Sequence, residues 1–260
     1  MTGAMDMLIP IRTIAAYTVL EGLRNRLLWL CVLMAAGAVG LAGFLAELAL
    51  TEGRQLQAAL LAAGLRLGAV GLIGAFVVTS MAREAADKGQ ELLLALAIPR
   101  AAYLFGKLAG FAALAVVPAL LFGALSLFFA APAQSAAWTV SLLCELWIVA
   151  AFSLLCALSL NQAMPALAAS AGFYLLARAI GSVQLIGHAR EGGGHGQQWL
   201  AGAVDVLAAI LPQLDRYTRT EWLLYGGADW AALLVIVLHS VLYIGLLSGA
   251  ALFDLYRKSF

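Results

Sequence analysis

The chain has 260 residues, of which 64% are hydrophobic and only 11% charged, and its mean hydropathy is +0.97. A soluble domain of this length carries roughly a quarter of its residues charged to cover its surface, so this composition excludes water as the main solvent and leaves the lipid bilayer. The net charge of +1 argues against nucleic acid as a partner, because a phosphate backbone demands a strong basic excess.

The chain opens on a segment, residues 7–25, in which Ile11, Ala15, Val19 and Leu23 recur at helical spacing between Arg12, Glu21 and Arg24. That pattern predicts an amphipathic helix lying on the membrane face, with an ordinary solvated leader as the alternative. No short basic region sits directly before a short apolar core, so the expectation is a retained first span and not a cleaved signal.

A spanning helix needs ~20 mostly apolar residues, since every backbone polar group must be paired inside the segment. Six stretches qualify: Leu27–Leu48, Ala58–Ala82, Leu104–Ala130, Ala137–Leu160, Pro165–Ile186 and Trp230–Phe253. The second is interrupted by Arg66. Between spans two and three lies a polar run, Arg83 to Glu91, followed by Leu92–Ile98 and Pro99-Arg100. Asn161 to Pro165 makes a tight turn, with Pro165 placed where a helix tolerates its missing N–H. The long connection 187–229 starts with Gly192-Gly193-Gly194 and contains a short apolar segment, Trp199–Leu211, before Pro212. That segment is too short to span and reads as an interfacial or re-entrant helix. The expected fold class is therefore all-α and polytopic: residues 1–26 an amphipathic leader, 27–253 six spans, 254–260 a tail.

Lys and Arg outside the spans set the orientation. With the N-terminus inside, the cytoplasmic side receives Arg12, Arg24, Arg26, Arg83, Lys88, Arg100, Lys107, Arg257 and Lys258, against Arg54, Arg190, Arg216 and Arg219 on the other. The bias predicts both termini, residues 83–103 and the Asn161–Pro165 turn inside, with 187–229 outside. A cytoplasmic (inner) membrane is the expected location.

Catalytic signatures are missing. Gly106-Lys107 lacks the upstream glycine and the following Ser/Thr of a phosphate loop. No Gly-x-Ser-x-Gly, His-Glu-x-x-His or Cys-x-x-Cys occurs, and Cys31, Cys144 and Cys156 lie in apolar runs as small hydrophobes. His188, Glu191 and His195 fall within eight residues, but their glycine-rich backbone favours a plain loop over a metal site. The expectation is a protein with no cofactor, no metal and no active site of its own.

Charges inside spans are expensive and normally face protein. Arg66 lies eight residues from the outer start of span two, Glu145 eight from that of span four, His239 nine into span six, and Arg178 about eight from the outer end of span five. At ~1.5 Å per residue all four fall ~12–14 Å below the outer boundary. Two readings stand: a structural ion-pair network, or the polar lining of an outward cavity.

The loop wording is the sharpest feature. Arg83-Glu84, Lys88-Gly89-Gln90-Glu91-Leu92-Leu93, then Pro99-Arg100-x-x-Tyr103-x-x-Gly106-Lys107, resembles the first cytoplasmic loop of ABC-2 type permeases, the transmembrane subunits of certain ABC exporters. Gln90 replaces the usual Thr, and Pro99 sits directly against Arg100. Arg24-Asn25-Arg26 resembles the lead into span one of the same family, and the span order fits along nearly the whole chain.

The resemblance implies a permease that pairs with a second copy, most simply as a homodimer, and binds two copies of a separate ABC ATPase. In such an arrangement Arg83, Glu84, Asp87, Lys88, Glu91 and Arg100 would couple to the ATPase, with Leu92–Leu94 adding apolar grip; a solvated loop that only sets topology is the alternative. Family members export polysaccharides, drugs and peptides or serve copper-enzyme maturation. From other classes, a non-transporting membrane scaffold and an ion-coupled transporter using Glu145 remain open, although no internal repeat favours the latter.

Overall fold

Long apolar runs in this chain leave the backbone one way to satisfy its polar groups, and the computed structural model, which describes residues 2–48, 53–87, 99–160, 162–189, 195–218 and 230–257, is helical over nearly all of them. The helices are α1 (Thr2–Arg24), α2 (Leu27–Leu48), α3 (Gly53–Ala86), α4 (Arg100–Ser126), α5 (Pro132–Leu160), α6 (Ala163–Ala189), α7 (His195–Ile210) and α8 (Trp230–Arg257), with a single 3₁₀ turn at Leu214–Thr218. Six of them, α2 to α6 and α8, are long and apolar enough to cross a bilayer. The protein is an all-α, multi-pass membrane protein.

Helix ends differ from the sequence expectation for physical reasons. α4 begins at Arg100, four residues before the apolar run, with Pro99 as its N-cap residue, a place where a missing N–H costs no helical hydrogen bond. α5 likewise begins at Pro132, and α6 takes Pro165 into its first turn. Asn25 and Arg26 form the bend between α1 and α2, where the Asn25 side-chain oxygen accepts the Arg26 N–H at 3.0 Å.

α5 is the axis of the bundle. It packs on α3, α4, α6 and α8 and also touches the 3₁₀ turn. Its buried face carries Ser141, Glu145, Leu146, Val149 and Ser153 in one apolar core. α2 lies against α3 at the periphery, with Trp29 and Leu33 exposed, as suits a helix facing hydrocarbon.

α1 is docked along α4 in the same direction. Gly106 of α4 lies against Ile14 and the Ile11 carbonyl, Gly110 against Thr18 and the Ala15 carbonyl, and Gly22 of α1 against Leu114. Two glycines one turn apart remove the side chains that would hold the helices apart, which is how small residues create close helix contacts in membranes. α1 thus follows the α4 axis over these turns and leaves Ile9, Tyr17 and Leu20 exposed on its far side.

α7 is too short to span and packs against α6, where Gln184 donates to Asp205 at 3.0 Å. Pro212 ends it, and the 3₁₀ turn then carries Tyr217 inward to the core. The segment before the last span therefore returns into the bundle.

Candidate functional site

Two polar constellations stand out, one at mid-helix and one at the end of the bundle where Glu84, Lys107, Arg100 and Arg257 gather, here called the basic end.

The first is built on α5. Trp138, Ser141 and Glu145 are spaced three and four residues apart, so one helix face presents all three. Glu145 stands 13 residues into α5 and Arg66 13 into α3, ~20 Å from either helix start. Arg66 Nη1 meets Glu145 Oε2 at 2.6 Å, with side-chain exposures of 3% and 0%. Arg178 of α6 approaches the other carboxylate oxygen at 3.8 Å and donates to the Tyr174 hydroxyl at 3.2 Å. The Arg66 guanidinium also lies 5.3 Å from the Trp138 ring centroid, a cation–π geometry. Tyr217 closes the group: its carbonyl accepts from Arg66 at 3.2 Å and from the Ser141 hydroxyl.

One carboxylate thus faces two guanidinium groups, and a backbone carbonyl takes up donors the carboxylate leaves over. Oε2 is held by Arg66, whereas Oε1 has no hydrogen bond among the described residues and only the more distant Arg178 charge beside it; such pairing offsets the cost of enclosing charged groups at low dielectric. The arrangement ties α3, α5, α6 and the 3₁₀ turn at one level.

The structure brings Arg66, Glu145 and Arg178 together but not His239. That side chain is exposed, and its Nδ1 lies 2.9 Å from the Val235 carbonyl of its own helix. Depth had placed it in the layer, but its azimuth differs. Ile236 and Ser240 face the Tyr217 hydroxyl, and His239 points elsewhere. Tyr217 and Ser141 were missed in the sequence, since neither residue type marks an ion-pair site and their meeting depends on a turn far along the chain.

At the basic end, Glu84 of α3 pairs with Lys107 of α4 at 2.5 Å and accepts from Tyr103 at 3.1 Å. Tyr103 and Lys107 are four residues apart and share a helix face. Arg100 donates to the Leu255 and Tyr256 carbonyls at 2.8 and 3.3 Å, caps the end of α8, and lies 5.9 Å from the Tyr256 ring. Glu21 of α1 accepts from Ser80 of α3 at 2.9 Å. Arg83 and Asp87 are exposed, whereas Lys88, Glu91 and Leu92–Leu94 lie outside the described residues. Of the six residues expected to couple to an ATPase, Glu84 and Arg100 are thus engaged within the chain.

Glu191 also lies outside the described residues, so the His188–Glu191–His195 set is not visible as a group. Among the described residues no three His, Cys, Asp or Glu side chains gather as a metal site would require. The three cysteines are buried and unpaired with one another. No protein-family model matches the chain, and no curated protein matches it.

Proposed function

We propose that this chain is the permease subunit of an ABC-2 type exporter, moving substrate outward or transmitting force while a partner ATPase hydrolyses ATP. In this reading it has no active site of its own. It sits in the cytoplasmic membrane with both termini and the basic end inside, pairs with a second copy, and binds two ATPase subunits.

The observation that carries the reading is the double clamp on the loop between α3 and α4. Glu84 ties the end of α3 to Tyr103 and Lys107, and Arg100 ties the start of α4 to the end of α8. A push on the loop would then reach three helices at once, as force transmission requires. The clamp residues Glu84, Arg100, Tyr103 and Lys107 are also among those on which the resemblance rests. An ion-coupled transporter finds less support, because Glu145 is enclosed and already engaged by two arginines.

Purification from its host in mild detergent tests the proposal. The chain is expected to bring down an ABC ATPase in equal number, and replacing Asp87, Lys88 and Glu91 together by alanine should lower the ATPase rate without loss of insertion. A chain that purifies without any ATPase, or a triple variant with unchanged stimulation, overturns the reading. A bound ATPase whose rate ignores the permease would mark a scaffold.

A further inference from the structure

The 3₁₀ turn holds a cation that the mid-helix cluster does not use. Tyr217 reaches Ile236 and Ser240, six and ten residues into α8, so the turn lies ~9–15 Å along α8 from Trp230. Arg216, its neighbour, is exposed, and no carboxylate pairs with it among the described residues. Its side chain lines a cavity of about 280 Å³ between α7, the turn and α8, together with Gln213, His239 and Tyr243. Among the described residues that line the cavity none is acidic. Next in sequence to its lining residues on α7 and α8, Ile210, Leu234 and Leu238 are 68%, 71% and 70% exposed, as expected of side chains in hydrocarbon.

An arginine at such a depth is costly without a counter-charge, and none is supplied to it among the described residues. We propose that this cavity binds the phosphate of an acidic phospholipid. Arg216 supplies the charge and a planar set of donors suited to phosphate, and Gln213 and His239 offer hydrogen bonds from the wall. The cavity takes a headgroup, and the acyl chains lie outside it along Ile210, Leu234 and Leu238. A second copy of the chain is a poorer occupant, because the exposed side chains that flank the lining residues in sequence are apolar while the unmet demand in the cavity is for an anion. The site follows from membrane insertion and is independent of the export reading.

The test uses the full chain in uncharged detergent with phosphatidylglycerol or phosphatidylcholine of identical acyl chains. Phosphatidylglycerol is expected to raise Tm above the phosphatidylcholine value and to be retained preferentially in native mass spectra. Arg216→Gln should weaken that retention about tenfold, the usual worth of a hydrogen bond to a charged group. Arg216→Lys should keep most of it. If Arg216→Gln does not fold, His239→Leu should narrow the gap between the two lipids. Equal effects of both lipids, or an unchanged gap in the folded variants, overturn the proposal. Inorganic phosphate reproducing the Tm rise would put a free anion in the cavity and overturn the lipid assignment. A dimer lost in Arg216→Gln, with no lipid preference in the parent, would show the cavity closed by a second copy and overturn it as well.

Discussion

The mid-helix cluster and the clamp at the basic end use the same chemistry under different conditions. At mid-helix, Glu145 is wholly enclosed and meets two arginines, one of which, Arg66, also donates to the Tyr217 carbonyl and lies over the Trp138 ring. At the basic end, Glu84 retains 15% exposure and meets one lysine and one hydroxyl. The first has no access to solvent if a partner is lost; the second has. A carboxylate deep in the bundle therefore acts as a fixed joint, whereas the same group near the surface can serve as a joint that loosens. That contrast suits the proposed force-transmitting role, with a core that holds its shape and one end that takes the push.

The largest effect should come from Glu145→Ala. Stranding Arg66 at 3% exposure is expected to cost ~3–5 kcal/mol, read as lost folding yield or lowered Tm in detergent. Adding Arg66→Leu should restore part of that loss, and adding Arg178→Leu should restore less, since Arg178 is farther at 3.8 Å and 28% exposed. Equal rescue by the two would erase the ranking of partners. No loss at all in the single variant would show that the cluster is not a joint.

Next in size is the α1–α4 contact. A Cβ at Gly106 would lie 2.8 Å from Ile14 Cβ and 3.1 Å from the Ile11 carbonyl, so Gly106→Leu must push α1 away. Overpacking of this kind costs ~1–3 kcal/mol. The variant should become more sensitive to proteolysis within residues 2–24 while its spans remain protected. Unchanged cleavage would mean that α1 does not depend on the glycine pair.

Lys107→Met should cost less than Glu145→Ala, about 1–3 kcal/mol, because water can still reach Glu84. Its sharper readout is functional. If the clamp transmits motion, ATPase stimulation should fall further than stability does. A proportional fall in both would reduce the clamp to an ordinary structural contact.

Much of this architecture was legible because a bilayer imposes simple rules. Apolar length gave the six spans, and the shortness of Trp199–Leu211 gave a segment that does not cross. The cost of buried charge pointed to Arg66, Glu145 and Arg178 as partners, since each lay at one depth. What depth could not supply was azimuth. A one-residue step turns a helix by about 100°, enough to separate Ser240, which faces Tyr217, from His239, which does not. The role of Gly106 was also hidden: beside Lys107 it reads as a failed phosphate loop and as part of the loop wording, while its spacing to Gly110 carries the contact with α1. Tyr217 could not be placed from local pattern, since its carbonyl reaches Arg66 across 151 positions of sequence.

The smallest expected effect tests that azimuth directly. His239 is exposed, and its nearest polar partner is the carbonyl of Val235 four residues before it. If it were a member of the charge layer, His239→Leu would leave a hole among ionised groups and cost as much as other buried polar losses. As the structure places it, the substitution touches neither Glu145 nor either arginine, and exposed positions of this kind change stability by within ~0.5 kcal/mol. In phosphatidylcholine, which carries no net charge, the variant should therefore unfold at nearly the parent temperature, while Ser141→Ala, one residue face away in the same bundle, should cost ~1 kcal/mol by removing a donor from the Tyr217 carbonyl. A His239→Leu loss equal to or larger than that of Ser141→Ala would put the histidine back into the layer and require α8 to be turned about its axis. The two variants together thus separate what a residue's depth contributes from what its direction contributes.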